Sequence, residues 1–240
     1  MKNLFIAAAL YFFMFYPTIR CYAKPTAVMS PQKLYQTSYI PENKEEKSVE
    51  INNQYNELIA AARDCIIKND GEAPANYDFS SVIYRSKYDH YETLGYWVAD
   101  IDGNGINELI FGGYGANPDS SGNSIIYDVY TISDGELIHV LDGWERNRFY
   151  LCENGMIANE GSSGASNSSY SYFVFDGSKL QLAESVIYDA AKDPENPWFY
   201  STVSQYDAEN AAPISEETAT GLMETYVYTN PPFTPFAADK

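Results

Sequence analysis

Three turn signals limit what this chain can fold into more than any other feature. Ser133-Asp134-Gly135-Glu136, Glu153-Asn154-Gly155 and Asp176-Gly177 each stand between runs rich in β-branched and aromatic residues. Asp or Asn beside Gly tolerates positive φ in a tight turn, which folds one strand directly back on its neighbour. The joined runs are 125–132 with 137–140, 149–151 with 156–157, and 170–175 with 180–186. A fourth pair, Gly95-Tyr96-Trp97-Val98-Ala99 and Leu109-Ile110-Phe111, flanks a polar loop at residues 100–108. Short reversals of this kind predict an antiparallel meander of about eight strands, because parallel neighbours need long crossovers. No long repeat period runs through the chain, so a full propeller is not expected.

Helical spacing flanks the strand-rich region. Ile51, Tyr55, Leu58, Ile59, Ala62, Cys65 and Ile66 recur at steps of three and four, and Asn69-Asp70-Gly71 supplies a stop. Ser215 followed by Glu216 and Glu217 is a favoured start for a second helix, predicted to reach about Tyr228 before Asn230-Pro231-Pro232. Phe233-Thr234-Pro235-Phe236 is apolar enough to dock on the body. The expected fold class is α+β: the meander, with an N-terminal and a C-terminal helix packed on it, in a single domain over residues 49–240.

Met1-Lys2-Asn3, an apolar stretch at 4–16 and a small residue at Ala23 make a signal peptide at residues 1–23. The chain is therefore expected to be secreted or held at the cell surface after cleavage near Ala23. The apolar stretch falls short of the roughly 20 residues of a membrane span, and none is expected in the mature chain. Arg20 stands before Cys21 where a lipid-anchor motif needs a small residue. Residues 24–48 carry Pro25, Pro31, Pro41 and a charge run without periodicity, which predicts a linker. Loss of Lys2 and Arg20 with the signal peptide moves the formal net charge from -18 to -20. That surface repels phosphates, so a nucleic-acid partner is excluded. Cys65 and Cys152 remain, as an extracellular disulfide or as two buried thiols; their spacing leaves both open.

The loop Asp100-Ile101-Asp102-Gly103-Asn104-Gly105-Ile106-Asn107-Glu108 places oxygen side chains at its first, third, fifth and ninth positions. Calcium takes six to eight hard oxygen ligands, and this order wraps the chain around one ion. Asp100, Asp102 and Asn104 would offer side-chain oxygens, Ile106 its backbone carbonyl, and Glu108 a carboxylate directly or through water. Gly105 permits the sharp turn, and Ile101 and Ile106 are expected to face the core. The plainer alternative is an acidic turn without an ion. An EF-hand needs a glutamate at position 12, which is Phe111 here. Strand-like flanks then make the expected metal a structural Ca2+ that joins strand to strand.

The ligand order resembles the calcium loops of FG-GAP and integrin-type propeller blades, with Glu108 in place of their last aspartate. Gly95-Tyr96 leading into this loop, then Arg146-Asn147-Arg148-Phe149-Tyr150-Leu151 and Ile157-Ala158-Asn159-Glu160-Gly161-Ser162-Ser163-Gly164-Ala165, resemble uncharacterised exported proteins of Gram-positive gut anaerobes. The likeness implies export and this order of helix, calcium turn and meander. It implies no activity.

Other chemistry finds little support. His90 and His139 stand in no metal-binding spacing. Gly161-Ser162-Ser163-Gly164 is not a nucleophile elbow. Trp144, Arg146 and Arg148 are candidates to bind an anionic or sugar ligand, or else hold internal ion pairs, with a flexible loop at 161–169 closing over the ligand. The expected function is a calcium-binding exported module for carbohydrate, cell-wall polymer or another exported protein. That module is expected to be non-catalytic, for binding or adhesion at the cell surface; a secreted polysaccharide or peptidoglycan hydrolase, or a partner or inhibitor of another exported protein, is the alternative.

Overall fold

A computed structural model describes residues 43–68, 70–86, 93–114 and 122–236; the expected signal peptide, and the expected linker up to residue 42, lie outside them. Helix α1 (Asn43–Lys68) and the short α2 (Ser81–Arg85) precede the strands β1 (Leu94–Ala99), β2 (Glu108–Gly113), β3 (Ile125–Ser133) and β4 (Glu136–Asp142). There follow β5 (Asn147–Leu151), β6 (Ile157–Gly164), β7 (Asn167–Phe175), β8 (Leu180–Asp189), β9 (Trp198–Ser201) and β10 (Ala212–Pro213). Helix α3 (Glu216–Met223) and β11 (Thr234–Pro235) end the described chain. Among the described residues the protein is mostly one antiparallel sheet of eleven strands, where about eight were expected.

The sheet runs β10-β9-β8-β7-β6-β5-β3-β2-β1-β11, and β4 pairs beside β3 off that path. Strand β3 is long enough to share one edge. Its far end takes β4, from Asp128 opposite Asp142 to Ser133 opposite Glu136, and Ile126 meets Phe149 of β5. Beyond that single pair, the C-terminal segment extends the pairing on β5. Cys152 bridges Tyr228, Glu153 N–H donates to Val227 O at 2.9 Å, and Thr229 N–H to Leu151 O at 2.7 Å.

Burial on both faces explains why so much of β2 and β3 is apolar. One face gathers Leu109, Phe111, Tyr127, Tyr130, Tyr150 and Tyr172 in the same cluster as Tyr55, Leu58 and Ala62 of α1. The other gathers Ile110, Ile126, Val129, Phe149 and Ile157 with Phe233. The tail expected to dock is buried at both Phe233 and Phe236.

Two boundaries differ from expectation. Helix α1 starts at Asn43, so residues 43–48 of the expected linker are helical; Lys44, Glu45, Glu46 and Lys47 are all strong helix formers. Helix α3 stops at Met223, short of Tyr228. Tertiary contacts take the residues beyond it: Tyr226 stacks on Tyr172 at 3.4 Å and Tyr228 on Tyr150 at 4.3 Å, ring centroid to centroid. Their hydroxyls donate to Glu184 Oε1 at 2.6 Å and Glu160 Oε1 at 2.9 Å.

A buried carboxylate ties the start of α2 to β3. Asp128 is fully buried and accepts from Ser80 N–H at 2.8 Å and Ser80 Oγ at 2.7 Å. His139 Nε2 lies 2.9 Å from Asp128 Oδ1, an ion-pair distance without a well-aligned hydrogen bond. The His139 ring stacks on Tyr130 at 4.5 Å. Burial alone would hold the imidazole down, but the Asp128 and Asp78 carboxylates outweigh it and raise its pKa.

Two measurements check this packing. A β-carbon at Gly112 would lie 2.4 Å from Phe233 Cζ and 2.5 Å from Ile125 O. Gly112→Ala should therefore cost about 3 kcal/mol in urea unfolding, because backbone and a buried ring would both have to move. A histidine with a raised folded pKa contributes stability that is complete below its unfolded pKa, about 6.5, and is lost as pH rises through the folded value. Unfolding free energy should fall over that window in the wild type, with a flatter profile in His139→Gln.

Candidate functional site

The polar loop spans adjacent antiparallel strands: Ala99 of β1 pairs with Glu108 of β2, and residues 100–107 turn between them. Asp100 organises that turn. Its Oδ1 accepts from Gly103 N–H at 2.7 Å and Asn104 N–H at 3.1 Å, and its Oδ2 from Gly105 N–H at 2.9 Å. Both Gly103 and Gly105 adopt positive φ, 77° and 87°, which frees those N–H groups to converge.

Glu108 closes the loop from beneath. Its carboxylate is fully buried and accepts from Ile101 N–H at 3.0 Å and Thr131 Oγ1 at 3.1 Å. Burial pushes the Glu108 carboxyl up to about 7; Asp102 and Asp100 add to the rise, and the two hydrogen bonds oppose it. Ligand oxygens of Asp100, Asp102 and Glu108 all lie within 4.8 Å of one another. Oxygens on one calcium ion, each about 2.3–2.6 Å from it, are at most about 4.6–5.2 Å apart. The three carboxylates fit a common cation.

The other two expected ligands are placed less directly. Asn104 Oδ1 accepts from Ile106 N–H at 2.6 Å and its Nδ2 donates to Asp102 Oδ2 at 2.9 Å. Asn104 must rotate to offer its oxygen to an ion. Ile106 is half-buried and belongs to neither face's cluster, whereas Ile101 packs against the second. One neighbour had no signal in the motif itself. Gly177, in the turn between β7 and β8, sits so close that a β-carbon there would lie 2.8 Å from Asn104 Nδ2 and 3.1 Å from Asp102 Oδ2.

The structure also brings Trp144, Arg146 and Arg148 together around two cavities. One, of about 500 Å³, is lined by Trp144, Arg146, Asn147, Asn159 and Tyr206 among others. The other, about 190 Å³, has Arg146, Arg148, Glu145 and Glu160 in its lining. Arg148 Nε donates to Glu145 O at 2.9 Å, which engages part of the fork expected to grip an anion. The flexible loop expected at 161–169 is instead the hairpin of β6 and β7, paired from Gly161 opposite Ser169 to Gly164 opposite Asn167. Ser162 Oγ secures its tip by donating to Gly164 O and Asn167 O. Cys65 and Cys152 are free thiols.

No protein-family model, curated protein or solved structure matches the chain. Among the described residues, no helix is long and apolar enough to cross a membrane.

Asp100 accepts three loop N–H groups and Asp102 only those of Asn104. In chelator, Asp100→Ala should lose about 1–2 kcal/mol in urea unfolding. Asp102→Asn should stay within about 0.5 kcal/mol of wild type.

Proposed function

We propose that this protein is an exported binding module whose sheet is stapled by one structural calcium ion in the loop at residues 100–108. The observation that carries this is the placement of three carboxylates within 4.8 Å of one another between paired strands. Calcium suits the donor set better than the alternatives. The donors are oxygens, without the His or Cys that zinc favours, and an irregular loop does not supply the strict octahedron magnesium demands. Calcium loops in extracellular modules bind at about 10⁻⁴–10⁻³ M, which matches a protein that leaves the cell through the signal peptide at residues 1–23.

The ion would act on stability. Its ligands come from the end of β1, the turn and the start of β2, so it closes one end of that strand pair. The staple leaves the cavities around Arg146 for a partner, which sets recognition apart from metal binding. Exchange of Phe111 for an EF-hand's twelfth-position glutamate fits this role, since no helix pair is there to open and close.

Thermal melting in about 2 mM calcium, in magnesium and in chelator tests the proposal. At a dissociation constant near 10⁻⁴ M, calcium adds about 2 kcal/mol and raises the midpoint by about 4–8 °C. Asp102→Asn, which keeps the loop's shape but removes a ligand charge, should lose most of that rise. Equal melting of both proteins in calcium and chelator would overturn the assignment.

A further inference from the structure

Four neighbouring strands carry a buried polar row across one face of the sheet. Asn159 of β6 pairs with Ser171 of β7, Ser171 with Ser185 of β8, and Ser185 with Ser201 of β9. All four are buried. Three of them are satisfied: the Ser171 and Ser185 hydroxyls lie 2.8 Å apart, Ser185 Oγ donates to Gln205 O, and Ser201 Oγ accepts from Val203 and Ser204 N–H. Asn159 ends the row differently. Its Nδ2 donates to Asn147 Oδ1 at 2.8 Å and to Arg148 O at 3.1 Å. A backbone carbonyl can only accept, so the amide's orientation is fixed, and Asn159 Oδ1 is left an acceptor without a partner in a residue 1% exposed. Buried polar atoms of this kind are uncommon and require an account.

Asn159 lines the 500 Å³ cavity, whose rim holds two exposed aromatic rings, Trp144 at 46% and Tyr206 at 45%. Tyr206 also leans over β6, where a β-carbon on Gly161 would lie 2.6 Å from its hydroxyl. The cavity's size falls in the usual range for small-ligand sites, about 300–1,000 Å³. Its chemistry is exposed ring faces, amides, hydroxyls, the single guanidinium of Arg146 and a buried acceptor that needs a donor.

We propose that this cavity binds a neutral polysaccharide chain. A pyranose offers both halves of the match: an apolar C–H face for Trp144 or Tyr206, and a hydroxyl that donates to Asn159 Oδ1. Acidic glycans fit less well, because the chain carries a formal net charge of -18 and Arg146 is the one cationic side chain in this cavity's lining. The inference rests on the binding-module reading above and names its ligand class; it uses no residue of the cation loop.

Isothermal titration in calcium, on protein shown to be folded, separates the two. The probes are cellohexaose, xylohexaose and mannohexaose, with hexagalacturonate as the acidic comparator. At least one neutral hexasaccharide should bind more tightly than about 1 mM. Trp144→Ala and Tyr206→Ala should each weaken that binding at least about tenfold at unchanged melting temperature, since both side chains are nearly half exposed. Three results would overturn the proposal: no binding of any neutral hexasaccharide, binding of the acidic one alone, or full affinity in Trp144→Ala. A failed calcium staple shows instead in the melting curves, with sugar binding intact.

Discussion

Three carboxylates packed within 4.8 Å between two strands set the terms for this end of the sheet. At an effective dielectric of about 20, each like-charged pair at that distance repels by about 3 kcal/mol. Set against a typical total stability of about 5–15 kcal/mol, that repulsion needs an answer. The chain supplies part of one through loop N–H groups on Asp100 and through Ile101 and Thr131 on Glu108. Under the function proposed above, a divalent cation would supply the rest and replace the repulsion with shared coordination. Glu108 is the first residue of β2, so whatever neutralises it also fixes the start of a strand whose every residue is buried.

From β2 the consequences spread across the sheet. Leu109 and Phe111 face one cluster and Ile110 the other, so a shift in register would exchange the two faces. Gly177 brings the β7–β8 turn onto the same loop. The loop is thus a junction between two hairpins distant in sequence, and a metal there would brace more than the strands that carry its ligands.

The parts legible in the sequence were those specified locally. Asp134 and Gly135 do adopt positive φ, 54° and 85°, and the hairpin they predict joins β3 to β4. The clustering of Asp100, Asp102 and Glu108 was legible for the same reason, since one short loop carries all three. What stayed hidden depends on distant partners. Gly177 approaches Asn104 across more than seventy residues of chain, so no spacing rule reaches it. Strands β9 and β10 are short, and their pairing with β8 and β9 owes little to periodicity. Ser185 and Ser201 are buried against the 202–206 segment, a contact that no local spacing announces. Gly161 and its serine neighbours suggested a loose loop, because backbone pairing with Ser168 and Ser169 leaves no compositional trace.

The most direct measurement of the central claim is an anomalous difference map from crystals grown in about 10 mM calcium. The account predicts one strong peak in the loop, with oxygens of Asp100, Asp102 and Glu108 each about 2.3–2.6 Å away and the Asn104 amide turned toward it. An ordered loop with no peak at that concentration, or an ion bound elsewhere with Glu108 still held only by Ile101 and Thr131, would contradict it.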